Sequence, residues 1–248
     1  MRIAVCVKQV PDTMKAPRIA PGGASIDASS VSFVVNPYDE YAIEEALRIK
    51  EAQGAEVILV MLGPESGMGV LRKALAMGAD SATLLKTEQP PASPLPVAKA
   101  LASYLKGKPS DLILFGKQAV DMDNAQVGVL VATLLGMPCI SDAIRPSVAG
   151  GKLTAEREVE GGRLVVEATL PAVMTAEKSD HEPRYASIKG IMDARKKQGE
   201  IVEVSLEKPK MSLKRLEEPP ERAGGRIIGE GAGAVPALVQ ALRDARAV

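Results

Sequence analysis

The segment Phe115-Gly116-Lys117-Gln118-Ala119-Val120-Asp121-Met122-Asp123-Asn124-Ala125-Gln126 concentrates the residue types best suited to holding a ligand. It follows a short apolar run, Leu112 to Phe115, and leads into an apolar stretch of helical character, so it reads as the loop from a buried strand to a helix N-terminus. In open α/β sheets ligands sit in the crevice outside the carboxyl ends of the strands, and the free N–H groups that open a helix attract phosphate. Asp121 and Asp123 are acceptors suited to ribose hydroxyls, or to capping that helix. The chemistry indicated is nucleotide binding, and the competing reading is a polar loop with an Asp cap. Asn36-Pro37 and Gly63-Pro64 occupy equivalent strand-end positions and are expected to wall the same crevice. No G-x-x-x-x-G-K-[ST] run occurs and no G-x-G-x-x-G follows a strand, so the site is neither a P-loop nor a dinucleotide fingerprint.

A second constellation is Glu182-Pro183-Arg184-Tyr185-Ala186-Ser187-Ile188-Lys189, followed by Arg195-Lys196-Lys197. A Tyr and an Ile in a Pro-bent, basic segment read as a docking loop with an apolar anchor; the alternative is a solvated charged face.

What is scarce narrows the classes. There is one histidine, no tryptophan, two Phe and four Tyr. His181 alone makes no multi-His metal site, and Cys6 and Cys139 are too few for a zinc knuckle. A Ser-His-Asp relay would have to run through His181, and no G-x-S-x-G elbow is present. The inventory points away from self-contained catalysis and toward binding or carrier work. Lys+Arg 31 against Asp+Glu 31 cancel, which argues against bulk attraction to nucleic acid. No apolar run reaches the roughly 20 residues of a bilayer span, so no membrane insertion is expected. The N-terminus enters a strand-like run at Ile3, leaving no room for a signal peptide, and two cysteines in apolar segments suit a reducing compartment, the cytoplasm being the simplest.

The elements that must position these residues alternate. Ile3 to Val7, Val57 to Leu62, Ala82 to Leu85 and Leu112 to Phe115 read as buried strands. Between them lie helical patterns: one opened by Asn36 as N-cap, Pro37 in the first turn and Asp39 against the helix dipole, one through Val70 to Leu75, and one around Val97 to Leu105. A fourth helix is expected from about Asn124 to Leu135. Ala143 to Val148, Leu153 to Val159 and Arg163 to Thr169, with turns at Gly150-Gly151 and Gly161-Gly162, read as antiparallel strands; Pro171 to Thr175 returns to the core, and a short helix is expected near Ile188 to Lys197. The fold class expected is α/β, a doubly wound, mostly parallel sheet with an antiparallel extension, over residues 1–205. Residues 206–248, rich in Pro and Gly and ending in an amphipathic helix at Val235 to Ala245, are expected to form an extended arm around another chain.

Val7-Lys8-Gln9-Val10-Pro11-Asp12, Asn36-Pro37-Tyr38-Asp39 with Glu44-Glu45-Ala46-Leu47, Ala74 to Asp80, Gly116 to Asp121 and Glu182 to Ala186 recur in this order in the beta subunits of electron transfer flavoproteins, and the chain resembles that family over nearly its whole length. The resemblance implies a heterodimer with an alpha subunit that carries most of the FAD site, while the beta subunit binds AMP. The implied AMP positions are Cys6, Asn36, Pro37, Tyr38, Asp39, Leu62, Ala119, Val120, Asp121, Met122, Asp123, Asn124, Ala125, Gln126, Val127, Gly128, Val129 and Leu130. Ile188 matches the apolar anchor of the family's recognition loop, about residues 182–197, which grips acyl-CoA or other flavin dehydrogenases; Arg184, Tyr185, Lys189, Ile191 and Met192 accompany it. Glu158 matches an acidic residue that pairs with an arginine of the flavin domain. Electrons would leave to a quinone oxidoreductase or another acceptor. Thr13 stands where some members place a tyrosine. Val10 to Thr13 and Asp121 to Val127 also resemble the electron-bifurcating branch, in which the crevice holds a second FAD. Two further readings are a stand-alone adenine-nucleotide-binding protein, against which the arm argues, and an ATP-pyrophosphatase, against which the absence of phosphate-cradling glycines after the first strand argues.

Overall fold

The apolar run near the N-terminus forms β1 (Arg2–Val7), in a computed structural model that describes residues 1–88, 90–197, 199–221 and 224–248. A small antiparallel hairpin, β2 (Gln9–Pro11) with β3 (Phe33–Val35), interrupts the path to helix α1 (Pro37–Gln53). The alternation then runs β4 (Glu56–Gly63), α2 (Met68–Leu75), β5 (Ser81–Lys86), α3 (Pro94–Gly107), β6 (Leu112–Gly116) and α4 (Val127–Leu135). β7 (Cys139–Ala149), β8 (Lys152–Val159) and β9 (Gly162–Thr169) form the antiparallel extension, β10 (Ala172–Ala176) returns to the parallel core, and α5 (Ile188–Lys196) precedes β11 (Glu200–Glu203). The sheet order is β11-β5-β4-β1-β6-β10-β7-β8-β9, with only the β7-β8 and β8-β9 pairs antiparallel. The fold class is the one the alternation of apolar runs implies.

Alternate residues of the central strands feed two cores. Ile3, Val5, Val7, Val57 and Leu59 pack under α1 and α2 on one face; Ala4, Cys6, Ile58 and Val60 pack under α3 and α4 on the other. Leu59, Leu112 and Leu114 are fully buried, each such side chain contributing roughly 1.5–3 kcal/mol. α1 ends where Gly54, at φ 73°, takes the left-handed cap and donates its N–H to the Lys50 carbonyl. Its expected apolar face, Ala42, Ile43, Ala46, Leu47 and Ile49, is buried, but so are the carboxylate-bearing Glu44 and Glu45.

Two local expectations are corrected. α4 begins at Val127, because Asp123 (φ 48°) and Ala125 (φ 50°) adopt left-handed backbone that no α-helix contains. β7 runs eleven residues, beyond the expected Ala143 to Val148. Cys139 is half-buried, whereas Cys6 is buried. β11, four residues with glutamates at both ends, pairs with β5 where the sequence offers no alternation to announce a strand.

The chain divides into two units, Met1–Arg215 and Leu216–Val248. The second contains α6 (Val235–Asp244), with Pro236 in its first turn and Val235, Leu238, Val239 and Leu242 as apolar residues at helical spacing. Residues 222 and 223 of the expected arm lie outside those described.

Candidate nucleotide crevice and docking segment

β1 lies between β4 and β6, all parallel, with Cys6 opposite Val60 on one side and Phe115 on the other. The chain leaving β1 reaches α1 on one face of the sheet, and the chain leaving β6 reaches α4 on the opposite face. Connections that diverge from adjacent parallel strands leave a crevice at their carboxyl ends. The loop 117–126 borders it.

Two side chains from the start of α1 form its floor. Asn36, 1% exposed, donates from Nδ2 to the Gln118 carbonyl at 2.8 Å and accepts the Val120 N–H at Oδ1, 3.1 Å. The buried Asp39 accepts the Lys8 N–H at Oδ2 (2.7 Å) and the Gly116 N–H at Oδ1 (3.1 Å), tying the ends of β1 and β6 together. Asn36 therefore does not cap α1 with its side chain, as its position suggested; only its carbonyl serves the helix, accepting from Asp39 and Glu40. Asp39, read as a dipole complement, is a crossbrace. Burial raises its carboxyl to about 7, although hydrogen bonds from Asn36, Lys8 and Gly116 oppose the shift. Gly116 is required by contact: a Cβ there would lie 2.4 Å from Asp39 Oδ1 and 2.6 Å from the Tyr38 carbonyl carbon.

Above this floor Lys8 Nζ reaches both carboxylate oxygens of Asp121 at 2.7 Å, and Gln118 Nε2 donates to Asp123 Oδ1 at 2.8 Å. Gln126, at the N-cap of α4, makes no side-chain capping bond, and the N–H groups that open a helix favour an anion. Gly128 lets that helix start close to the sheet, since a Cβ there would meet Thr175 Cγ2 at 2.6 Å and Phe115 Cγ at 3.2 Å. Val129 and Met122 are exposed, Tyr38 and Leu130 half-buried. Cys6 and Leu62 sit in the core on the α3/α4 face; burial, with the Asp39 charge added, pushes the Cys6 thiol far above its usual range. The structure thus gathers Asn36, Asp39 and Ala119–Asp123 around one crevice. Lys8 and Gly116 join them as supports beside the expected Gly128; the first polar residue after β1 and the glycine closing β6 are the sequence signals that mark the two.

The residues expected to meet partner proteins lie outside this crevice. Glu158, exposed on the β8-β9 ribbon, pairs with Arg163 at 3.1 Å. Tyr185 is 98% and Ile188 82% exposed, with Lys189, Ile191 and Met192 also exposed. Arg184 turns inward: Nε and Nη2 bind the two oxygens of Glu44 at 2.8 and 2.9 Å, and Nη1 binds Glu51. Burial resists ionisation of Glu44, but the Arg184 bonds prevail and hold its carboxyl below the usual range. A notch of about 300 Å³ lies between Pro37, Glu40 and Tyr41 and the 182–185 segment. His181 Nδ1 lies 3.0 Å from Glu45 Oε1, the same oxygen that accepts from Ser179 Oγ at 2.9 Å, so serine and histidine share an acid rather than forming a relay. Among the described residues no His/Cys/Asp/Glu group suits a metal, and no helix is long and apolar enough to cross a membrane.

Comparison with known proteins shows the family. Residues 24–207 match the family described as electron transfer flavoprotein domain. The chain is 37% identical to the electron transfer flavoprotein subunit beta of Bacillus subtilis, over 98% of each chain. It is 39% identical to the protein of the same name from Homo sapiens, over 91% of each. With that of Syntrophomonas wolfei it shares 38% identity over 91% of this chain and 88% of the relative.

Proposed function

We propose, since this chain belongs to the electron transfer flavoprotein family as a beta subunit, that it binds AMP in the crevice between β1 and β6 and pairs with an alpha subunit carrying most of the FAD site. The observation that carries the AMP reading is the junction of an uncapped α4 N-terminus with the acceptor-rich loop 117–126, braced by Asn36 and Asp39. The phosphate would meet the first-turn N–H groups of α4, and the carboxylates of Asp121 and Asp123 would face the ribose. Lys8 holds Asp121 in the free chain and is the cation nearest to it.

The FAD, when bound, supplies the electron-accepting and electron-donating chemistry. This chain's own contribution is binding, orientation and exclusion of water around the cofactor. Glu158 is assigned to the flavin-domain contact, exchanging its present Arg163 partner for an arginine of the alpha subunit. Ile188, with Tyr185, Lys189, Ile191 and Met192, is assigned to docking of acyl-CoA or other flavin dehydrogenases, from which electrons pass to a quinone oxidoreductase or other acceptor in the cytoplasm. The arm 206–248 is assigned to the alpha subunit, α6 laying Val235, Leu238, Val239 and Leu242 on it.

The test is to co-express the chain with its alpha subunit, purify the complex and identify the released nucleotides by chromatography. One FAD and one AMP per heterodimer is the expected result. Two FAD and no AMP would overturn the AMP assignment and make this subunit a flavin site of the bifurcating kind.

A further inference from the structure

We infer that Arg184 is a positioning residue for docking: it holds the segment that presents Tyr185 and Ile188 by bridging two carboxylates of α1, and does not itself meet the partner. The inference rests on the docking role proposed above. Its basis is the opposite placement of neighbouring side chains. Tyr185 and Ile188 are 98% and 82% exposed, while the Arg184 guanidinium faces inward onto Glu44 and Glu51. Its backbone N–H also donates to Glu44 Oε2 at 3.2 Å. Glu44 is 4% exposed, and a buried carboxylate demands a cation with matched hydrogen bonds, so Glu44 dictates where Arg184 sits. A planar fork with five donors grips both oxygens of Glu44 and reaches Glu51 in one fixed geometry, whereas a lysine ammonium is a point charge without that bidentate match.

The segment is pinned on both sides of its exposed residues. Upstream, Ser179 and His181 are held on Glu45 Oε1, next to Glu44 on the same helix. Downstream, Ser187 caps α5 by accepting the Gly190 N–H at 3.0 Å, and Gly190 lies so close to the Ala76 carbonyl that a Cβ would fall 2.3 Å from it. Lys197 Nζ then donates to the Ala79 carbonyl at 2.5 Å. Docking apolar side chains from a mobile loop costs ordering entropy at the moment of binding; a segment already fixed to α1 and α2 has lost that freedom in folding.

The experiment uses the FAD-loaded heterodimer as the varied substrate of an acyl-CoA dehydrogenase supplied with its acyl-CoA. Replacing Arg184→Gln should raise KM for the carrier roughly tenfold at unchanged kcat, FAD content and nucleotide content. Arg184→Lys should fall between, and Glu51→Gln, at an exposed carboxylate, should raise KM about two- to threefold. Amide hydrogen exchange over 182–192 should quicken in the same order. An unchanged KM in a variant whose exchange has quickened overturns the inference. So does full rescue of KM by Lys with exchange unaltered, which would make Arg184 a direct charge contact. If Arg184→Gln fails to assemble, Glu51→Gln decides by the same two readouts. A wild-type heterodimer that no acyl-CoA dehydrogenase reduces would instead defeat the docking role itself.

Discussion

Asn36 and Ile188 are placed in opposite ways, one 1% exposed and bonded to two backbone groups across a crevice, the other 82% exposed at the start of a helix. Around Asn36, the groups that shape the site are also the groups that join β1, α1 and β6. Around Ile188, presentation and support are divided: Tyr185 and Ile188 face outward, while Arg184, His181 and Ser179 are held by α1 behind them. The division teaches where function and stability are separable. In the crevice a substitution alters both together, because the 117–126 loop is fastened by buried Asn36, whose loss leaves the Gln118 carbonyl and the Val120 N–H unsatisfied. In the docking segment the outward side chains can change without disturbing the core.

The largest effect is expected at Gly116. A methyl group there would collide with Asp39 Oδ1 and with the backbone of Tyr38 and Asp39, none of which can turn aside. Gly116→Ala should lower stability by about 2–3 kcal/mol in denaturant titration and release the nucleotide proposed for the crevice. A variant as stable as wild type that still holds nucleotide would break the comparison, since the crossbrace would then be dispensable. Asn36→Ala comes next, at about 1–3 kcal/mol, because the Gln118 carbonyl and the Val120 N–H both lose their partner. Weakened nucleotide retention should accompany that loss, and intact retention would uncouple floor from loop.

These two residues also mark the boundary of what the sequence discloses. The parallel core is legible because its strands are continuous apolar runs separated by helical periodicity, and Leu112 to Phe115 announces the strand end where the crevice lies. The side-chain work of Asn36 is not legible. An Asn before a Pro satisfies the local grammar of a helix start, and only the fold brings Gln118, 82 positions on, within reach. The same holds for Arg184: a basic residue in a charged run looks solvated until α1 supplies Glu44 from 140 residues away. α4 starts three residues late because its left-handed Asp123 and Ala125 carry no glycine signal. The β2-β3 hairpin hides in a stretch punctuated by Pro and Gly, its strands three residues each.

Asp39 supplies a middle-sized effect with a defined sign. Its carboxyl is raised from 3.8 to about 7 in the folded chain by burial, so the folded state binds the proton more tightly than the unfolded state does. The stability this contributes is complete below the unfolded value and declines as pH rises through the folded one. Wild-type urea midpoints should therefore fall between about pH 4 and pH 7. Asp39→Asn keeps one acceptor where two N–H groups need them, so it should be less stable at acid pH, yet it lacks this proton and its profile should be flatter across the same window. Parallel profiles for the two proteins would show that the crossbrace is ionised at no cost. The crevice would then resemble the docking segment in tolerating charge.

The smallest effect on stability, and the sharpest contrast with Asn36, is expected at Ile188. Its side chain is 82% exposed, so truncation removes little buried area, and Ile188→Ala should stay within about 0.5 kcal/mol of wild type. Its backbone is set by neighbours the substitution does not touch, Ser187 at the N-cap and Gly190 against Ala76. What the substitution removes is an apolar surface available to fill a pocket on a partner, the kind of anchor whose loss commonly weakens binding by more than 1 kcal/mol. Dehydrogenase-to-carrier transfer should weaken through KM while FAD content and unfolding midpoint stay unchanged. Loss of FAD from the Ile188→Ala heterodimer would mean that this segment is structural, and its exposed and inward residues would then form one cooperative unit, as they do around Asn36.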